Sequence, residues 1–377
     1  MREGLFTKDR PAWLDLLFIA ILVGFIGLPS LLSRDLWNPD EPRYTQVARE
    51  MAETGDYLIP HLNGSIYSQK PPMYFWLTAT LWKLGFGYNS GRTVSLIAAL
   101  GCLLATYLLV KRYRGKNTAL VSVAFIATTV FFVDYASEGV LDPLLMFFIT
   151  GAMISGFLAL EKKSDKPTLL WLCAYFCMGL AILTKGPVGF IVPGLTLLVY
   201  RLINRKKVRG AGRTHIISAC LLLSTVLAWL VPAIISGGKD YAHTILIQQN
   251  LGRAVNSWSH QQPFYYYLEE LPWRLFPWSL VLPLAGWEAW RKCRQEGDNL
   301  SCFSLIWFVT AIVFLSLMSG KRARYVLPVL PSVGILCGSY VTSKLRNSHT
   351  FLKAENWLLR TTGALMALVF LVLLAAL

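Results

Sequence analysis

The sequence predicts an all-α polytopic membrane protein, a bundle of about eleven crossing helices with a large first outer loop that carries membrane-lying helices. Three observations lead there. Of the 377 residues, 55% are hydrophobic and only 15% are charged, and the mean hydropathy is +0.48, more apolar surface than a water-soluble chain of this length can hide in one core. Apolar stretches of about 16–22 residues, each long enough to cross a hydrocarbon core as a helix, recur down the whole chain. Basic residues gather in alternate connections, the distribution that marks one side of a membrane.

The expected crossings are 12–32, 91–110, 117–137, 143–160, 169–184, 187–203, 215–236, 275–290, 301–319, 325–343 and 356–377. The first is too long, and too weakly followed by a small-residue cleavage site, to be a signal peptide, so it starts the bundle. Net charge is +15, which in a soluble protein would raise nucleic acid as a partner. Here roughly 22 of the 36 Lys and Arg fall at the N-terminus and in segments 111–116, 162–166, 201–213, 291–294 and 344–353, all on one side if the spans alternate. That side is expected to be cytoplasmic, with the N-terminus on it. Six of the seven cysteines lie in apolar spans and Cys293 in a cytoplasmic loop, so no disulfide framework is expected.

The domain reading is one transmembrane unit over 1–377, with a first outer loop at 33–90, a second at 237–274 and a short outer turn near Lys321. In the first loop, 41–54 places Tyr44, Val47, Ala48 and Met51 on one helical face, with Gly55 as a stop. Pro71 and Pro72 open a second helical segment whose Tyr74, Phe75, Trp76 and Trp82 suit the headgroup level. Counting that segment as a crossing would invert the charge pattern of everything after it, so an interfacial helix is expected.

The outer loops hold the unusual charges. Asp40 and Glu41 stand together in Trp37-Asn38-Pro39-Asp40-Glu41-Pro42-Arg43-Tyr44, where they either start a helix or supply a carboxylate able to take a proton. Asp142 precedes an apolar crossing, and it either caps that helix or supports the acidic pair. Lys70, Arg253 and the cluster Lys321, Arg322, Arg324 face them from other outer segments. Snorkelling toward headgroups accounts for any one of these cations but less well for all of them. Lys185, in Thr184-Lys185-Gly186-Pro187, reads either as a solvated turn lysine or as a further contact.

Taken together, DEPRYTQVAREMAETGDYLIPHLNGSIYSQKPPMYFW from Asp40 to Trp76, Asp142, TKGP from Thr184, NLGR ending at Arg253, HQQPFYYY after it and RYVLP from Arg324 resemble one family. It is that of the polyprenyl-phosphate-sugar glycosyltransferases with a GT-C fold. The likeness is to the bacterial aminoarabinose transferases that modify lipid A and, more distantly, to the protein O-mannosyltransferases. The resemblance implies an enzyme, a glycosyltransferase whose cavity lies over two membrane-lying helices and receives the lipid donor. It implies that Asp40 is the catalytic carboxylate, with Glu41 and Asp142 beside it. It further implies that Arg43, Lys70, Arg253, Arg324 and Tyr325 surround the donor phosphate, with Lys185, His260 and Lys321 as further candidate contacts. The partners expected are a polyprenyl-phosphate sugar, membrane lipid and an outer acceptor such as lipid A, a glycan or a protein, and no nucleic acid. Related enzymes carry a C-terminal soluble domain for which this sequence shows no counterpart.

The sequence departs from the resemblance in one respect. The aminoarabinose transferases look like they pair a Glu before the KPP lysine with a His before the NLGR arginine, a set suited to a divalent metal. Here those places hold Gln69 and Gln248-Gln249-Asn250, and neutral amides are poor ligands for a zinc-like ion, so no cofactor is assigned; a divalent metal stays an open alternative, with His260 an unpaired candidate ligand. Two other classes compete. A secondary transporter or flippase would place its charges near the bilayer midplane in repeated halves, and neither feature is seen. A cytosol-facing nucleotide-sugar enzyme would need a phosphate loop or an Asp-x-Asp pair in a basic loop, and none is present.

Overall fold

The computed structural model describes residues 11–33, 35–37, 39–162, 164–204, 212–246 and 261–346. It is a helical bundle. In chain order its elements are α1 (Ala12–Ser33), α2 (Asp40–Thr54), a hairpin of β1 (His61–Leu62) and β2 (Ser65–Ile66), α3 (Met73–Leu81), α4 (Ser90–Arg114), α5 (Lys116–Ala127), α6 (Val130–Ala136) and α7 (Asp142–Leu160). There follow α8 (Pro167–Lys185), α9 (Val188–Ile203), α10 (Thr214–His243), α11 (Tyr266–Arg274), α12 (Leu282–Arg291), α13 (Asn299–Leu317), a 3-10 segment (Ala323–Val329) and α14 (Leu330–Arg346).

Among the described residues, seven helices are long and apolar enough to cross a membrane, or eight if the bent pair α5 and α6 is one crossing. A shorter apolar helix, α9, adds to these, and the span expected at 356–377 lies outside the described residues, so the expected count of about eleven is not reached among the described residues. Two of the expected spans are broken. Between α5 and α6 the chain turns by 71°, and Thr129 caps the second piece by accepting from the Phe132 N–H. The stretch expected as 275–290 is helical as α12 only from Leu282, after turns around Phe276. The breaks face each other: the Val130 N–H donates to the Phe276 carbonyl at 3.1 Å, and Trp278 Nε1 donates to Thr128 Oγ1 at 2.9 Å. In an apolar medium freed backbone groups must find partners inside the protein, and these two interruptions partner one another.

Small residues let the intact helices approach. A Cβ on Gly189 of α9 would lie 2.5 Å from the Ala181 carbonyl carbon of α8, and one on Gly338 of α14 would lie 2.6 Å from the Cα of Ser122 in α5. Close backbone approach of this kind is how membrane helices gain contact without a hydrophobic drive between them.

The segment between α1 and α4 folds into helices of its own, as its periodicity indicates. Tyr44, Val47, Ala48 and Met51 of α2 are buried, and Gly55 ends the helix at φ 76° with its N–H on the Met51 carbonyl. Tyr74 and Phe75 of α3 pack edge-on to Tyr44, at ring separations of 6.0 and 5.8 Å. At nine residues α3 is too short to cross, and the chain breaks at Gly85 (φ 93°) before α4 begins. The hairpin between α2 and α3 was not expected. Its signal is Asn63-Gly64, both at positive φ, and their N–H groups donate to Glu50 at 2.6 and 3.1 Å.

Ion pairs mark the two ends of the bundle. At one end Asp40 meets Arg322 and Arg324, and Asp142 meets Lys185. At the far end Arg114 pairs with Asp298, Arg112 with Glu161 and Lys292 with Glu288. Cys293 and Cys302 form a disulfide there, correcting the expectation that none would form: the turn between α12 and α13 brings their Cα atoms to 4.8 Å.

Candidate active site

Asp40 and Asp142 are the first residues of α2 and α7, and Lys185 is the last of α8. A carboxylate in a first helical turn is favoured by the N-terminal end of the helix dipole, which suits the placement of both acids. Pro39 ahead of α2 and Pro143 just inside α7 preset the backbone φ that a first turn needs. Gly186, at φ 88°, closes α8 with its N–H on the Ile182 carbonyl and turns the chain sharply into α9.

These ends meet the segment 320–325, which leaves α13 extended at Arg322 and re-enters helical turns at Ala323. Asp40 Oδ2 accepts from Arg324 Nη2 and, at 3.2 Å, from Arg322 Nη1, while Oδ1 accepts from Arg43 Nη1 at 3.2 Å. Arg324 also places its Nε 3.8 Å from Asp142 Oδ2, so one guanidinium bridges the two acids. The other oxygen of Asp142 accepts from Lys185 Nζ, and that ammonium lies 4.2 Å above the Tyr325 ring. Cation–π contact with a phenol ring holds the lysine in a site that is only 9% exposed.

A cavity of about 440 Å³ opens on this cluster. Asp40, Arg43, Tyr44, Gln69, Lys70, Asp142, Lys185, Arg322, Arg324 and Tyr325 form its polar side. Five basic and two acidic side chains leave an excess of three positive charges among the described residues that line it. The lining also holds apolar side chains: Leu145, Val188, Ile191, Phe314, Leu315 and Met318. A pocket with a cationic floor and an aliphatic side fits an anionic headgroup that carries a hydrocarbon chain.

Electrostatics fix the state of Asp40. Burial opposes its ionisation, but Arg324, Arg322 and Arg43 outweigh burial and hold the carboxyl below the usual aspartate value. Burial pushes the Tyr44 phenol well up, so it stays a neutral hydroxyl.

Of the residues the sequence singled out, Asp40, Arg43, Lys70, Asp142, Lys185, Arg324 and Tyr325 come together at this cavity. Glu41 does not reach it, and the role of a second catalytic acid does not suit its position. It is wholly buried and accepts from Arg92 Nε (2.8 Å) and Nη2 (3.0 Å), from the Gly139 N–H (2.7 Å) and from the Trp37 N–H (2.7 Å). Burial raises its pKa, but those donors more than offset it and keep the carboxylate ionised. Successive helical residues point about 100° apart, which is why neighbours in sequence separate here into a cavity acid and a buried one. Lys321 also turns away from the cavity, 4% exposed and donating to the Gln262 carbonyl at 2.8 Å, because the pairing of Gln261 with Gly320 brings that carbonyl beside it. Arg253, His260 and Gln248 lie outside the described residues. Gln69 lines the cavity, and among the described residues no three His, Cys, Asp or Glu side chains group to hold a metal ion.

Sequence reasoning underrated Arg322, which reads as a snorkelling cation until its guanidinium is seen on Asp40. It missed Arg92, whose one signal is an arginine set in the first turn of an apolar crossing.

Residues 69–231 match the family described as dolichyl-phosphate-mannose-protein mannosyltransferase. An undecaprenyl phosphate-alpha-4-amino-4-deoxy-L-arabinose arabinosyl transferase of Pseudomonas aeruginosa is 31% identical over 366 residues, covering 95% of this chain and 65% of the relative. The transferase of the same name from Pectobacterium atrosepticum is 29% identical over 357 residues, covering 93% of this chain and 63% of the relative. The crystal structure of ArnT from Cupriavidus metallidurans bound to undecaprenyl phosphate superposes with a TM-score of 0.79 at 24% identity, over 89% of this chain and 61% of that one. The chain thus resembles these arabinosyl transferases in sequence, has a GT-C-like fold and spans somewhat less than two thirds of the length of these relatives.

Proposed function

We propose that this chain is the membrane part of a glycosyltransferase that moves a sugar from a polyprenyl-phosphate carrier to an acceptor on the extracytoplasmic side of a bacterial inner membrane. The observation that carries it is the cavity itself, where Asp40 and Asp142 are outnumbered by cations and apolar side chains complete the lining. The donor, a phosphodiester on a long hydrocarbon, supplies both complements. The names of the relatives, which specify an undecaprenyl-phosphate-linked sugar, support the same donor class.

In the proposed step the acceptor hydroxyl or amine attacks the anomeric carbon and gives its proton to Asp40, while the bond from that carbon to the phosphate oxygen breaks. Its electron pair stays on the phosphate. The leaving group is already a stable anion, so cations rather than a second carboxylic acid are needed to hold it. Lys70, Lys185, Arg322 and Arg324 stand ready, with Arg253 expected to join them. Arriving phosphate also competes for the guanidinium groups that depress the basicity of Asp40. Donor binding therefore raises the proton affinity of the base when it is needed.

Acceptor identity stays within lipid A, a glycan or a protein. The basic far end faces the cytoplasm in this reading, and no step requires a metal. The test is transfer by the protein in liposomes offered a panel of labelled polyprenyl-phosphate sugars, with mass spectrometry of the products. Labelled sugar on an acceptor, together with free polyprenyl phosphate, is expected. Movement of intact donor between leaflets without bond cleavage would replace the enzyme with a flippase.

A further inference from the structure

Behind the cavity, out of contact with it, lies a second charged cluster. Arg92, in the first turn of α4, is 2% exposed, and Glu41 is wholly buried. The guanidinium grips the carboxylate with two nearly parallel hydrogen bonds, Nε to Oε1 at 2.8 Å and Nη2 to Oε2 at 3.0 Å, and it also donates to the Asp35 carbonyl at 2.7 Å and to the Ser30 carbonyl. Glu41 completes its set with the Gly139 and Trp37 N–H groups. One ion pair thus ties together the end of α1, the start of α2, the start of α4 and the 137–141 turn.

The attachment points are informative. Glu41 adjoins Asp40, and Gly139 lies three residues before Asp142. The backbone segments carrying the two cavity acids are therefore joined through a single carboxylate, on the side away from the substrate. On the cavity side, Arg324 bridges the same two acids. The 137–141 turn is further pinned from α4 and α1: Ser95 donates to the Val140 carbonyl at 2.9 Å and Ser30 to the Ser137 carbonyl at 2.5 Å. There is no slack in this packing. A Cβ on Gly139 would lie 3.2 Å from Glu41 Cγ and Oε1.

We propose that Arg92 is a positioning residue: through Glu41 it sets the spacing and aim of Asp40 and Asp142, so that Arg324 can span both acids. A bidentate guanidinium supplies fixed geometry as well as charge, which a lysine at the same place does not. The proposal rests on the proposed transferase function for its kinetic consequences but not for its geometry.

The test uses Arg92→Lys, Glu41→Gln and Gly139→Ala in the full chain, with Arg112→Ala, an exposed pair at the far end, as control. Two readouts are taken: kcat and KM for the lipid donor, and the titration of Asp40 by carboxylate infrared difference spectra against Asp40→Asn. Arg92→Lys is expected to keep donor KM near the parental value and to lose about 10- to 100-fold in kcat, the scale of a small misplacement at a reacting centre. The Asp40 titration and the acid limb of kcat/KM are expected to move up together, as the arginines lose their alignment. Should Arg92→Lys and Glu41→Gln fail to fold, Gly139→Ala perturbs the same joint with one methyl group and is expected to move the titration the same way. Parental kcat, or a loss of thermal stability with the Asp40 titration unmoved, overturns the proposal. If the parent protein transfers no sugar at all, the transferase reading fails, while the infrared titration still decides the brace.

Discussion

Both ends of the bundle are laced with ion pairs, yet only one has the form of a site. At the far end Asp298 caps α13 through the Leu300 and Ser301 N–H groups and pairs with Arg114, and Lys292 lies between Glu288 and Ser343 Oγ. Asp298, Glu161 and Glu288 each have their own cation, and the groove beside Glu288 and Lys292 holds only about 10 Å³. At the other end one guanidinium is shared by two acids, cations exceed acids by three among the described residues that line the cavity, and about 440 Å³ stands open beside them. Paired charge alone closes a helix end. Unbalanced charge around a cavity is what an anionic substrate completes.

Substitutions at the two ends should separate along that line. The largest effect is expected from Glu41→Ala, which leaves Arg92 buried and uncompensated. Removing one partner of such a pair costs about 3–5 kcal/mol, enough to lower the yield of folded protein sharply in a detergent-extraction assay. Arg324→Ala should fold and yet lose on the order of 10³-fold in kcat/KM, since it frees both cavity acids and removes a phosphate contact at once. Lys70→Ala should lose about 10²-fold, with kcat falling as well as affinity, because charge on the leaving phosphate grows toward the transition state. At the far end, Asp298→Asn should lower thermal stability by about 1 kcal/mol as the capped helix loses its anion, with kcat unchanged. Transfer that survives a chelator, the smallest effect of all, agrees with Gln69 on the cavity wall; loss restored by zinc would show ligands elsewhere.

The response to pH sharpens the same contrast. Burial resists ionisation of both Asp40 and Asp298, yet neighbouring arginines and hydrogen bonds hold each below the usual aspartate range. A carboxyl depressed in the folded state adds stability above its unfolded value and forfeits it as pH falls through the folded one. Stability should therefore drop below about pH 4 at both ends. Arg324→Ala should raise the acid limb of kcat/KM, and Arg114→Ala should leave it in place.

The bundle was legible because hydropathy and the positive-inside pattern act over twenty residues at a time. The α2 face was legible for the same reason, from Tyr44, Val47, Ala48 and Met51. What escaped were events set by single contacts. The break at Thr128 and Thr129 depends on partners 150 residues away, around Phe276 and Trp278, so no local signal shows it. The hairpin at Asn63-Gly64 carries a turn signal, but its strands of two residues each are too short to show an alternating pattern. At the site, Asp40, Lys70 and Arg324 were legible from residue type in outer loops. The opposite fates of Asp40 and Glu41 were not, because which way each carboxylate turns is decided by Arg92 and Gly139, far along the chain.

The central claim is that Asp40 takes a proton in a sugar transfer whose phosphate is held by other groups. It is tested most directly by measuring donor binding and single-turnover transfer side by side in the parent and in Asp40→Asn, with both proteins in liposomes. Asn keeps the size of the side chain and can still start a helix, but it cannot accept the proton. The account predicts donor affinity within a few-fold of the parent and no detectable product from the variant. Transfer at a substantial fraction of the parental rate would contradict it and reduce Asp40 to a partner of the arginines around it.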